Sequence, residues 1–140
     1  NVPEHIVLVK DSKLLAKLTP EVAEGFNSSS VVQSGKIYER CENEIISGAK
    51  IANKVFLKTL KKDGYVFTFD VDKVNNKFDK PSLILLGRQD NCVGYKDSWN
   101  ILENFSRATF AILDRAGHSL QIEQENLFNS LVEEWLKRVN

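Results

Sequence analysis

The chain of 140 residues contains no methionine, three prolines, seven glycines, two cysteines and two histidines. It carries no excess of either charge, since 19 Lys+Arg balance 19 Asp+Glu. Dividing it after Lys80 leaves +2 on the first part and −2 on the second. So even a balance excludes a nucleic-acid-binding role and attachment to an anionic membrane surface. No apolar run approaches the ~20 residues that cross a bilayer, and the opening NVPEHIVLVKD lacks the charged-then-apolar plan of a signal peptide. Cys41 and Cys92 form no CxxC pair, so they read as reduced, half-buried thiols in a reducing, cytoplasmic compartment. Together with His5 and His118 they present no zinc-ligand spacing, and neither a metal nor another cofactor is expected. The want of methionine even at position 1 predicts a processed product or a piece of something longer.

What is present is ordinary for a soluble globular protein, with 42% hydrophobic and 27% charged residues. A chain of this size buries roughly 68–70% of its unfolded surface, enough for a core. In the first part, His5–Val9 reads as a short extended run, and Thr19-Pro20 as a helix N-cap followed by proline at the first helical position. Asn27-Ser28-Ser29-Ser30 reads as its stop. From Lys36 to Lys62, Tyr38, Cys41, Ile45, Ala49, Ala52, Phe56 and Leu60 recur at steps of three or four. That spacing predicts one long amphipathic helix closed by Asp63-Gly64, with Gly48 marking a bend or a close contact. Lys58, Lys61 and Lys62 read as a solvated helix end that suits the macrodipole, not as a phosphate site. Tyr65-Val66-Phe67-Thr68-Phe69 alternates and predicts an extended segment.

At Lys80-Pro81 the pattern changes. Ser82–Gly87 and Thr109–Asp114 are short, nearly unbroken apolar runs, as expected of strands buried on both faces of a parallel sheet. Trp99, Leu102 and Phe105 predict a helix between them, and Leu127, Phe128, Leu131, Val132, Trp135 and Leu136 a final amphipathic helix. This order implies a right-handed βαβ unit. In open parallel sheets, functional groups gather beyond the carboxyl ends of the strands. Both strand ends then deliver their loops to one edge, which brings Asp90 within reach of His118. A carboxylate accepting the Nδ1–H of a histidine fixes its tautomer and stabilises the imidazolium, two-thirds of a nucleophilic triad. Gly87 is expected to let its loop turn sharply, and Gly117 to leave the imidazole open to approach. Asp97 is a rival carboxylate but reads as a helix opening, and Asp114 also sits at a strand end.

Pro81-Ser82-Leu83-Ile84-Leu85-Leu86-Gly87-Arg88-Gln89-Asp90 resembles the strand P-x-L-x-x-x-G-x-x-D that delivers the triad acid in the α/β-hydrolase fold. Ala116-Gly117-His118 resembles the A-G-H turn that delivers the histidine, and Glu123 with the final helix completes the likeness. The resemblance implies an incomplete α/β-hydrolase fold of class α/β: a cap-like helical region over residues 1–79, then the last two parallel strands and helices of the core over residues 80–140. It assigns Asp90 as triad acid and His118 as general base. Tyr65, Phe67 and Phe69 become candidates to line a pocket for an ester-like small-molecule substrate, with Phe56 behind them, although each also reads as plain cap core.

The family's nucleophile stands in a G-x-S-x-G elbow ahead of the acid, and the sequence contains none. Ser34 before Gly35 and Ser47 before Gly48 lack the first glycine. The chain therefore reads as the C-terminal part of a serine hydrolase, without triad catalysis of its own. A non-catalytic interaction module on the same half-fold is an alternative. So is an enzyme of the epoxide hydrolase or dehalogenase type, whose nucleophile is aspartate. A half-fold of this kind exposes a strand edge, which predicts a homo-oligomer joined by strand pairing or exchange.

Overall fold

In the computed structural model, residues 2–64, 67–70, 73 and 76–139 are described. The first part is helical, as patterned. After the short helix α1 (Ser12–Leu15), α2 (Pro20–Ser29) starts with Pro20 at its first position and Thr19 as N-cap. Thr19 makes no side-chain capping hydrogen bond, so the proline and the extended Thr19 backbone set this start. His5–Val9 forms no strand: only an isolated parallel bridge joins Val9 to Val32, held by Gln33 N–H donating to the Val9 carbonyl at 2.8 Å.

The long helix expected over 36–62 is divided. Ser34 caps α3 (Gly35–Arg40) by accepting from Ile37 N–H at 3.3 Å, and a π-helical turn, Cys41–Ile46, runs on into α4 (Ser47–Ile51). Ala52 and Asn53 then leave helical geometry, and Asn53 Oδ1 accepts from Phe56 N–H at 3.0 Å to start α5 (Lys54–Asp63). A side chain that bonds its own backbone competes with helix continuation, and here it wins. Part of the predicted apolar stripe stays in solvent, with Ile45 at 40% and Phe56 at 60% exposure. Gly48 has no close neighbour, since a Cβ there would meet nothing within 4 Å. The distortion lies just ahead of it, in the π turn. Gly64, at φ 80°, ends α5 as patterned. Tyr65 and Val66 lie outside the described residues, and Thr68-Phe69 form a bend.

β1 (Ser82–Gly87) and β2 (Ala108–Leu113) pair in parallel, with Ser82 opposite Ala108 and Gly87 opposite Leu113. Their connection carries two 3₁₀ turns, Asp97–Trp99 and Leu102–Asn104, where one helix was expected. Neither strand is buried on both faces: most of their residues are half-buried, and burial is complete only at Gly87 and Leu113. The final helix α7 (Glu125–Val139) packs against β1 and ties to it where Trp135 Nε1–H donates to the Pro81 carbonyl at 3.0 Å. Among the described residues the sheet has two strands, so an apolar pattern suited to two-sided cover is satisfied only in part.

The buried cluster lies elsewhere. Phe26 of α2, Val31, Val32 and Ile37 of α3 pack with Ile122 of α6 (Leu120–Glu123). One core thus joins residues from before and after Lys80. Arg40 reinforces it, donating in bidentate fashion to Glu44 at 2.6 and 2.9 Å and to the Gln121 carbonyl at 3.3 Å.

Candidate functional site

The carboxyl ends of β1 and β2 emerge side by side because the strands are parallel and in register. From β1 the chain runs through Arg88 and Gln89 to Asp90; from β2 it runs through Asp114 and Arg115 to Ala116, Gly117 and His118. Gln89 stitches the two loops. Its backbone N–H donates to the Ala116 carbonyl at 2.9 Å, its Oε1 accepts from Ala116 N–H at 3.1 Å, and its Nε2 donates to Asp114 Oδ1 at 2.8 Å. Arg115 takes the left-handed conformation, φ 56°, to make the turn.

The loops touch most closely at the two glycines. A Cβ on Gly87 would stand 2.2 Å from the Gly117 carbonyl oxygen and 2.6 Å from that of Ala116. Gly87 is therefore required for close backbone approach, and it also opens the tight turn that Asp90 N–H closes on the Gly87 carbonyl at 3.2 Å. At Gly117 a Cβ would meet Val31 Cγ2 at 3.0 Å and Glu123 Oε2 at 3.4 Å. Its want of a side chain thus makes room for neighbouring protein.

Asp90 and His118 meet. His118 Nδ1 lies 3.1 Å from Asp90 Oδ2, a hydrogen bond in the tautomer that carries the proton on Nδ1. Asp90 is 5% exposed. Burial alone would push its carboxyl up, but N–H bonds from Val93 and Cys92, with the His118 contact, outweigh it and hold the group below the usual carboxylate range. Those N–H groups reach Asp90 Oδ1 at 3.1 and 2.8 Å, which leaves Oδ2 to the imidazole. Asp90 is thus a fixed anion, and the His118 side chain, 57% exposed, is the reachable member of the pair.

A cavity of about 540 Å³ opens against His118. Val22 and Phe26 of α2, Tyr38 of α3, and Ile45 and Ile46 of the π turn make much of its apolar wall. The rings of Phe26 and Tyr38 stack edge to face at 5.3 Å. Cys41, Cys92 and Ser119 also border it. The π turn has a part in this: its wider winding, marked by Ser47 N–H reaching back to the Glu42 carbonyl, presents Cys41, Glu42, Ile45 and Ile46 to one cavity. In the sequence these residues show only as an apolar stripe, which does not separate a pocket wall from a core.

Of the residues expected to line a pocket, Tyr65 lies outside the described residues. Phe67 and Phe69 are exposed, pair with each other at 5.7 Å between ring centroids, and do not border this cavity. Phe56 does not border it either. Asp97 opens a 3₁₀ turn, in keeping with its reading as a helix start. Asp114 is held below the usual carboxylate range, first by the Gln89 hydrogen bond.

Glu123 has a larger part than its pattern match suggested. It is 9% exposed, and its carboxylate accepts from three backbone N–H groups: Val31 at 2.6 Å and Val32 at 3.2 Å on Oε1, and Gly117 at 2.6 Å on Oε2. It thereby ties the segment after α2 to the residue that precedes His118.

No protein-family model matches the chain, and no curated protein matches it. A solved structure does: an alpha/beta superfamily hydrolase from Oenococcus oeni PSU-1, 25% identical, with a TM-score of 0.83. The match covers 100% of this chain and 52% of that one, so the chain spans about half the length of its structural relative. The architecture is a partial α/β-hydrolase fold, as the strand and turn motifs implied. No described helix is long and apolar enough to cross a membrane.

Proposed function

We propose that this chain supplies the acid and base of a serine hydrolase acting on ester-like acyl substrates, with the nucleophile provided from outside these residues. The observation that carries this reading is the 3.1 Å pairing of a buried, ionised Asp90 with His118 at the mouth of an apolar cavity. In this reading Asp90 orients the ring and stabilises the imidazolium. Nε2 of His118 takes the proton of the attacking serine and returns it to the leaving group. The cavity receives the apolar part of the acyl group, and the helical region over residues 1–79 is the cap that forms its wall. The cytoplasm is the compartment that suits two free thiols.

The test is hydrolysis of nitrophenyl acyl esters by the gene product that contains these residues, beside the 140-residue chain alone and the His118→Ala variant of the gene product. The expected result is turnover by the gene product, ~10³-fold or greater loss in His118→Ala, and none by the chain alone. Undiminished turnover in His118→Ala overturns the reading. So does robust turnover by the chain alone that depends on Ser34 or Ser47.

A further inference from the structure

No metal-ligand spacing runs along the sequence, yet folding brings three different donors together. One oxygen of Asp90, one ring nitrogen of His118 and the Sγ of Cys92 all lie within 4.8 Å of one another. We propose that Asp90, Cys92 and His118 form a site for a thiophilic divalent cation such as Zn²⁺, in which the cation replaces the Nδ1 proton between His118 and Asp90.

The donor geometry suits such an ion. Bonds of ~2.0–2.2 Å to oxygen and nitrogen and ~2.3 Å to sulfur, arranged tetrahedrally, separate the donors by roughly 3.3–3.6 Å. Asp90 Oδ2 and His118 Nδ1 already stand 3.1 Å apart. Cys92 Sγ lies within 4.8 Å of both, and the Cys92 and His118 side chains are exposed. Oδ1 of Asp90 is taken up by the N–H groups of Cys92 and Val93, which orients the carboxylate, leaves Oδ2 to coordinate and anchors the Cys92 backbone beside it. That is the supporting shell a metal site requires. The cavity bordered by His118 and Cys92 supplies an entry path and room for a fourth ligand.

The donor chemistry chooses the metal class. Thiolate, imidazole and carboxylate together favour Zn²⁺ and its relatives over Mg²⁺ or Ca²⁺, which take oxygen donors. Cys92 is the thiol for the task. Cys41 borders the same cavity, but burial first, and then the nearby carboxylates of Glu123 and Glu44, push its thiol up and away from the thiolate form. On binding, the Cys92 S–H proton leaves to solvent, the His118 ring proton passes from Nδ1 to Nε2 by exchange with solvent so that the imidazole stays neutral, and the oxidation states do not change. The functional consequence rests on the hydrolase reading: His118 bound to the cation can no longer be oriented by a hydrogen bond to Asp90, so the cation switches the pair off.

The test titrates the 140-residue chain with Co²⁺, following the near-ultraviolet thiolate-to-cobalt charge-transfer band, then adds Zn²⁺ or Mg²⁺ as competitors. The proposal expects one saturable site with a thiolate band, displaced by Zn²⁺ and unaffected by Mg²⁺. Cys92→Ser should abolish the band and Cys41→Ser should keep it. His118→Ala and Asp90→Asn should each weaken cobalt binding by about 10- to 100-fold or more. Cys92 and His118 are exposed, so their variants retain the fold; circular dichroism confirms this. A missing band, a band that survives Cys92→Ser, one lost in Cys41→Ser, or unweakened binding in His118→Ala overturns the proposal. Because the readout is absorption, an inactive gene product would sink the hydrolase reading and leave this one standing.

Discussion

Replacing Glu123 by alanine should be among the most destabilising single changes in the molecule. Its carboxylate accepts three N–H bonds, at 2.6, 3.2 and 2.6 Å, from buried backbone groups. A hydrogen bond to a charged group contributes ~1.5–3 kcal/mol, and an orphaned buried donor costs about 1–3 kcal/mol. Three such losses set an upper figure near ~9 kcal/mol. Relief from burying the anion, and entry of water into the space vacated, bring it down to about 3–5 kcal/mol, the usual cost of breaking a buried charged contact. Against a total stability of ~5–15 kcal/mol that is a large share. For a chain of this length it corresponds to a fall in Tm of about 10–20 °C.

Glu123→Gln separates hydrogen bonding from packing. The two side chains have nearly the same shape, but both carboxylate oxygens accept. Whichever way the amide turns, its NH₂ faces a backbone donor, and the loss should be about 2–3 kcal/mol. Urea and thermal melts by circular dichroism measure both variants. If Glu123→Gln lies within ~0.5 kcal/mol of the parent, the three-way bridge contributes little and the reasoning fails.

Three further outcomes are expected. Gly87→Ala should cost at least about 3 kcal/mol or prevent folding, because its Cβ would stand 2.2 Å from a backbone oxygen that has no room to move, whereas Gly48→Ala, with open space around it, should stabilise by about 0.5–1 kcal/mol; thermal melts compare them. The lowered carboxyl of Asp90 adds stability that is complete above the unfolded carboxylate pKa near ~3.9 and is lost as pH falls through the lower folded value. Asp90→Asn should therefore flatten the acid limb of the stability–pH profile measured by urea unfolding, and an unchanged limb would contradict the assignment. The half-covered two-stranded sheet should make the isolated chain a homodimer or larger, and light scattering that shows a monodisperse monomer at high concentration would refute this.

The sequence made the sheet and the Asp90–His118 pair legible because both depend on short, local signals. Ser82–Gly87 and Thr109–Asp114 are runs of strand length, and parallel pairing of such runs fixes which edge receives their loops. The helical part was less legible for a physical reason. A three- or four-residue period reports which residues share a face, but not whether anything covers that face. It missed the break at Ala52-Asn53, where one asparagine side chain bonds Phe56 N–H and starts a new helix. It also missed the π turn, because six residues wound more widely keep the same composition. Cys92 was missed beside the Asp90–His118 pair because the cysteines were read only for ligand spacing along the chain, although Cys92 stands two residues from Asp90.

Gly87, Gly117 and Glu123 explain together why the pair is so placed. Without a Cβ at Gly87, the β2 loop lies directly on the β1 end, and Asp90 reaches His118 without a bridging side chain. Without one at Gly117, Val31 and the Glu123 carboxylate press against the residue before His118. Glu123 then converts that contact into a fixed position, because one anion holds Gly117 N–H and the Val31 and Val32 N–H groups at once. The same segment leads into α3 and the π turn, which wall the cavity that His118 faces. A change at Glu123 should therefore disturb stability, the Asp90–His118 distance and the cavity together. That coupling distinguishes a latch from an isolated buried carboxylate. In the gene product, Glu123→Gln should lower ester hydrolysis and raise KM in the same variant, while a loss of stability with both kinetic constants intact would show that the three are independent.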